Sequence, residues 1–233
     1  MKASYSKHHK TKGLTEIYRY RRAYLMSSDK LMRLSFALKS PSKVIIEFGM
    51  DDGRLLKKLI EQDHDIKLDT NTSSVTYIGI EVDRKQFEAA ESLMKNDKNV
   101  ILLNSSFEEI LPMFPDGSID QILDVLPDPA YIDRPNQNSW QSFYKVVYAK
   151  LKPAGLLRLV TEITDDLLEP VSDEAYNTWV QWLSQIFRSL GFTIRDSMDG
   201  PPAEYSTRCL TQYRGDAERI RMVTLDLVKD KNE

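Results

Sequence analysis

The chain has 233 residues, 41% of them hydrophobic and 29% charged, an ordinary globular composition that excludes a disordered or collagen-like chain. A single cysteine, Cys209, rules out an internal disulfide framework, and with only three histidines most structural zinc sites are excluded as well. Net charge is −3, but residues 1–33 hold nine Lys or Arg against Glu16 and Asp29, a net of +7, which leaves −10 on the remaining 200.

The basic start carries no apolar stretch of the kind a signal peptide has. No run approaches the roughly 20 apolar residues of a membrane span, so a cytoplasmic protein without membrane contact is expected. Within the basic segment, Tyr5, Tyr18, Tyr20 and Tyr24 alternate with cations. Cations that meet phosphates beside rings that stack on bases would make an RNA-facing arm. A solvated terminus whose tyrosines cap the core fits the composition equally well. Residues 14–38 read as one or two helices, and the arm as a whole spans 1–38.

From residue 39 onward, apolar runs alternate with helical patterns. Strands are predicted at 44–48, 75–81, 100–103, 119–126, 156–161, 192–195 and 220–227. Helices are predicted at 54–62, 84–95 and 173–190, with a polar surface loop at 64–74. In the last helix Tyr176, Trp179, Leu183, Ile186, Phe187 and Leu190 share one face, which marks them as core. Near-continuous apolar strands between amphipathic helices imply an α/β protein with a parallel sheet covered on both faces.

Ligands of such sheets bind beyond the carboxyl ends of the strands, near the point where strand order reverses. That rule selects four places. After the first strand comes Glu47-Phe-Gly49-Met-Asp51-Asp-Gly53, a glycine-bearing turn that lets a ligand approach the backbone. The second strand ends at Glu81, an acid placed to accept both hydroxyls of a ribose. The three-glycine spacing of dinucleotide sites is absent, so an adenosyl ligand without a pyrophosphate fits better. After the third strand, Ser106 is placed to bond an adenine edge and Phe107 to lie against its ring. Ser106 with Glu109 also reads as a helix capping box. After the fourth strand, Pro127 and Pro129 fix the backbone around Asp128 and hold its carboxylate at the crevice mouth. Earlier in that strand, Asp120 falls at the entry, while Asp124 needs either a partner or a place facing the crevice.

These motifs, in this order, resemble those of the class I S-adenosylmethionine-dependent methyltransferases, specifically the tRNA (guanine-N7)-methyltransferases. The resemblance runs from about Val44 to the C-terminus. It includes Ile78-Gly-Ile-Glu81, Asn99-Val100, Ile110-Leu-Pro112, Pro127-Asp-Pro129, Leu151-Lys-Pro-Ala-Gly155, Thr161-Glu162 and Arg208-Cys-Leu-Thr-Gln-Tyr213. It implies a Rossmann-like, mostly parallel seven-stranded sheet with helices on both faces, residues 39–233 forming the methyltransferase domain. It also implies S-adenosylmethionine as cofactor, tRNA as partner, no metal, and a monomer or homodimer. Glu47, Gly49, Gly53, Glu81, Ser106 and Phe107 fall on its cofactor site and Asp128 on its catalytic acid. Arg134, Glu162, Arg208, Thr211 and Tyr213 fall on its substrate site.

The sequence departs from the family in several places. Asp51 replaces a glycine of the turn, where it is expected to crowd or repel part of the cofactor. Ser106 stands in place of an Asp, and Ala130 in place of a Trp. A basic run after Asp128 is reduced to Arg134, and Arg214 replaces a Glu. Guanine N7 carries an in-plane lone pair, so methylation there needs no deprotonation. The expected role of Asp128 is electrostatic support and orientation, and Cys209 is read as a packed or surface thiol. Two other readings stay open: a same-fold methyltransferase with another acceptor, and a non-catalytic RNA-binding or partner subunit.

Overall fold

A computed structural model describes residues 28–39, 42–67, 75–165 and 169–230. The elements are α1 (Ser28–Lys39), β1 (Lys43–Phe48), α2 (Arg54–Lys67), β2 (Val75–Glu81), α3 (Arg84–Leu93), β3 (Val100–Asn104) and α4 (Phe107–Ile110). They continue with β4 (Ile119–Val125), α5 (Gln137–Lys150), β5 (Leu151–Thr164), α6 (Asp173–Ser189), β6 (Thr193–Asp199), α7 (Arg208–Arg214) and β7 (Ile220–Val228). The strands form one seven-stranded sheet in the order β3-β2-β1-β4-β5-β7-β6. Pairing is parallel from β3 to β5. Only β7 runs the other way, antiparallel to β5 and β6.

Side-chain alternation sorts the sheet into two faces. Val44, Ile46 and Phe48 of β1 join a core with Leu34 of α1, Trp140, Tyr144 and Val147 of α5, and Leu183 and Phe187 of α6. Ile45 joins a second core with Leu55, Leu56 and Ile60 of α2, Phe87 and Ala90 of α3, and Leu210 of α7. Both faces are covered, which is why the central strands are apolar almost throughout. The same alternation places Glu47 on the second face, directly beyond Ile45. The edge strand β6 is mostly exposed and carries Arg195, Asp196 and Asp199, charges that discourage a further strand from pairing there.

Several boundaries differ from the sequence reading, among them the ends of β5 and β6, which run on to Thr164 and Asp199. Helix α2 runs to Lys67, so the predicted loop is helical over its first four residues, and 68–74 lie outside the described residues. Strand β5 begins at Leu151, five residues early, passing through Ala154 at φ +63°. Its pairing with β4 shifts register at that irregularity. Residues 1–27 of the basic arm, with Tyr5, Tyr18, Tyr20 and Tyr24, lie outside the described residues. Of its remainder, Arg33 in α1 donates from Nη2 to the carbonyls of Lys98 and Val100 at 2.9 and 2.8 Å. That cation serves to dock α1 on the start of β3. No described helix is long and apolar enough to cross a membrane.

Candidate functional site

Because β2 and β3 lie to one side of β1 while β4 lies to the other, the strand order reverses between β1 and β4. A crevice therefore opens at their carboxyl ends. The turn after β1 is left-handed at Gly49 (φ +58°), Asp51 (φ +51°) and Gly53 (φ +78°). The reasons differ. A Cβ at Gly49 would meet nothing within 4 Å, so that backbone lies open to an approaching group. At Gly53 a Cβ would come within 2.5 Å of Met94 Cε and 2.9 Å of Ala90 Cβ, so glycine is needed to seat α3. Asp51 keeps the glycine-like conformation, and the turn is preserved despite the substitution.

Glu81 fastens this turn from the neighbouring strand. Its Oε2 accepts the Asp51 amide at 2.9 Å and its Oε1 the Asp83 amide at 2.7 Å. Glu47 is also buried, at 2% exposure, but its Oε2 has no hydrogen-bond partner. Burial, then the charges of Asp51 and Glu81, push its carboxyl well above the usual range, opposed by a hydrogen bond from the Leu56 backbone. Asp51 is raised too, by burial and then by Asp52, with the Arg208 and Arg54 charges pulling it back. Glu47, Asp51 and Glu81 thus form one acidic wall, and Arg208 at the first turn of α7 acts electrostatically on its Asp51.

Along the next strand end, Ser106 Oγ accepts the Glu109 amide at 3.3 Å as the cap of α4. The Glu109 carboxylate is bonded by Ser105 Oγ at 2.8 Å instead of reaching back to Ser106. Phe107 lies in an aromatic cluster, stacked on Phe48 at 5.1 Å and in contact with Tyr131 at 5.0 Å and Phe143 at 5.1 Å. Its ring thus joins β1, the turn after Asp128 and α5 in one cluster.

Beyond β4 the chain turns through Leu126 (φ +56°), whose amide reaches Val160 O at 2.8 Å. Asp128 follows, exposed, with Oδ1 accepting the Ala130 amide at 2.9 Å to cap the short 3-10 turn Pro129–Tyr131. One carboxylate oxygen is thereby oriented while the group stays open to solvent. Asp124, deeper in the strand, has a partner: Tyr144 donates from Oη to its Oδ2 at 2.7 Å. Burial raises the Asp124 carboxyl to about 6 against that hydrogen bond. Asp120 sits at the strand entry, as expected, accepting from the Val44 amide and Lys152 Nζ. Arg134 lies over the Trp182 ring at 5.0 Å, a cation–π contact that ties it to α6.

The far side of the crevice is built by β5 and α7. Burial raises the Glu162 carboxyl to about 7, and its Oε2 is a second buried oxygen without a partner, as is the Thr161 hydroxyl beside it. Tyr213, from α7, is raised by burial and then by the Glu162 charge. Two motifs some fifty residues apart in sequence are therefore neighbours in the fold. Thr211 Oγ1 donates back to Thr207 O at 2.9 Å, and Arg208 is exposed at the start of the helix. Arg214 donates to the carbonyls of Tyr205 and Pro202 at 2.6 and 2.8 Å, so the reversed charge at this position clamps the preceding loop. That loop supplies a residue the sequence did not single out, Tyr205, fully buried and bonded through Oη by Arg158 at 3.3 Å. An irregular stretch of Pro, Ala and Ser around it offered no periodicity that would have found it. Cys209 is half-buried. Among the described residues no group of His, Cys, Asp and Glu is arranged to hold a metal ion.

No protein-family model and no curated protein sequence matches the chain. Solved structures do match. The chain is similar to an antibiotic-related methyltransferase at 19% identity and a TM-score of 0.57, covering 86% of this chain and 94% of that one. It is similar to the 16S rRNA methyltransferase KamB at 15% identity and a TM-score of 0.62, covering 84% and 92%. A third likeness is to the [4+2]-cyclase SpnF, at 15% identity and a TM-score of 0.51, covering 86% and 80%. The protein has the Rossmann-like, seven-stranded fold of the class I methyltransferases. That fold also carries a cyclase, so the reaction has to be argued from the site.

Proposed function

We propose that the protein is an S-adenosylmethionine-dependent methyltransferase acting on N7 of a guanine in tRNA. The observation that carries the reading is the unpartnered, buried Oε2 of Glu47 at the end of β1, next to a turn whose Gly49 backbone lies open. A buried polar atom without a partner costs about 1–3 kcal/mol, a cost that a ligand donating a hydrogen bond or bringing a positive charge would offset. The residues present fit such a ligand. Asp51 offers negative charge to an ammonium or sulfonium, and a cation brought beside Glu47 would offset the burial that holds its carboxyl well above the usual range. Glu81, although each oxygen already accepts one amide, keeps lone pairs for ribose hydroxyls. Bound there, the donor supplies a methyl group activated by its positively charged sulfur.

The remaining work falls to the chain. Asp128 is held by its own turn at the end of β4, where a carboxylate supports positive charge developing on a purine and orients the base through its N–H groups. Glu162 and Tyr213 face the substrate side. The tRNA reading rests on the Pro127-Asp-Pro129 loop and the Arg208 to Tyr213 motif, and on the proximity of Tyr213 to Glu162. An RNA methyltransferase among the fold relatives is consistent with it. The test is a single-turnover assay with radiolabelled donor and unmodified tRNA, in which label is expected to enter the RNA.

One observation favours a second reading. Asp51 puts a side chain where related turns carry a glycine, and a non-catalytic RNA-binding subunit would tolerate that. Saturable binding of tRNA with no transfer of label at any donor concentration would favour this alternative.

A further inference from the structure

Asp51 is this chain's own departure from the glycine-bearing turn, and the structure shows where its charge falls. Its backbone is left-handed at φ +51°, and its amide is held by Glu81. Its carboxylate acts on the buried Glu47, whose Oε2 has no partner. The charges around it come from every neighbouring element. Asp52 is engaged by Arg54 at 2.9 Å. Glu47 and Glu81 contribute two further acids from β1 and β2, and the charges of Arg208 in α7 and Arg54 in α2 pull the Asp51 carboxyl back down. Asp51 and Glu81 therefore place negative charge beside a Glu47 carboxyl that burial holds well above the usual range, and Arg208 and Arg54 oppose that charge. Such a wall discriminates between ligands of the same shape by their charge.

We propose that Asp51 is a specificity-determining residue that makes the crevice select a cationic, sulfonium-bearing nucleoside over its neutral thioether counterpart. The inference rests on the donor reading above. S-Adenosylmethionine and S-adenosylhomocysteine share adenosine and amino acid, and they differ by one methyl group and one positive charge on sulfur. The added Asp51 carboxylate beside Glu47 and Glu81 strengthens binding of the first and leaves the second, whose sulfur is neutral, without that gain. The substitution that departs from the family thus acts as a device against product inhibition.

The experiment is calorimetric titration of the full chain with each of the two nucleosides at low ionic strength, repeated for Asp51→Asn and Asp51→Gly. Asn has the shape of Asp and tolerates a left-handed backbone, so it removes charge alone, and Gly removes charge and bulk together. The expected result is a preference of about tenfold or more for S-adenosylmethionine in the unsubstituted protein. In both variants the preference should fall at least about threefold, chiefly through weaker binding of S-adenosylmethionine. Equal affinities in the unsubstituted protein, or equal changes for both ligands in Asp51→Asn, would overturn the inference while leaving the donor reading intact. Binding of neither ligand to the unsubstituted protein would overturn both.

Discussion

Glu81, at the end of β2, spends each carboxylate oxygen on a backbone amide, whereas Glu162, near the end of β5, keeps Oε2 buried with no partner. Both acids line the same crevice. On the β1–β2 side most polar groups of the strand ends are bonded within the protein, and the turn is held ready before any ligand arrives. On the β5–α7 side the Thr161 hydroxyl and one carboxylate oxygen of Glu162 are buried without partners, and the cost is carried by the folded state. The contrast separates a frame from a waiting surface: Glu81 organises backbone, while Glu47 and Glu162 retain capacity that the protein itself does not use. Asp128 lies between these regions, fixed by its cap yet solvent-exposed.

The contrast can be broken most severely at Asp128. Asp128→Asn keeps the cap on Ala130, since Asn caps as well as Asp, and removes only charge. A loss of at least about two powers of ten in single-turnover rate, roughly 3 kcal/mol, is expected with an unchanged thermal midpoint. A near-normal rate would show that the charge is unused and would shift attention to Glu162. Next in size is Glu81→Ala, which should weaken S-adenosylmethionine binding by about 1.5–3 kcal/mol in calorimetry. Because two amides also lose their acceptor, this variant should melt at lower temperature, and unaltered stability would contradict the framing role.

The smallest effect is expected at Glu162, on stability. Its carboxyl sits at about 7 in the folded protein, above the ordinary value of about 4.3 in an unfolded chain. The folded state therefore binds the proton more tightly, and stability falls as pH rises from about 4.3 to about 7, then levels off. Asp124 acts in the same direction up to about 6 and is common to both proteins compared. Glu162→Gln should gain on the order of 2 kcal/mol over the parent between pH 5 and pH 8 in urea denaturation. Parallel pH profiles would show that Glu162 is not desolvated.

Much of the frame was legible in the sequence because it depends on local pattern. All seven strands were located from apolar runs, and the acids Glu47 and Glu81 were found as strand termini. Strand β5 escaped at both ends for physical reasons. Pro153, Ala154 and Gly155 interrupt its start, and its polar tail is held by pairing of Glu162 with Met222 and Thr164 with Ile220, partners far along the chain. His64 to Lys67 looked like a loop because only Ile66 among them is apolar, although a helix can extend by another turn on mostly polar residues. Phe107 and Arg134 were read as ligand contacts, and the structure adds packing partners for them in Phe48, Phe143 and Trp182. Those contacts are tertiary and leave no local signal. The electrostatic influence of Arg208 on Asp51 was likewise invisible before the fold brought α7 towards the β1 turn.

The proposed reaction is transfer of a methyl group to N7 of a guanine in tRNA. Mass spectrometry of nucleosides from tRNA incubated with the full chain and S-adenosylmethionine tests it most directly. The account predicts 7-methylguanosine that is absent when the donor is omitted and strongly reduced with Asp128→Asn. A different methylated nucleoside, or none from tRNA that the protein demonstrably binds, would contradict it.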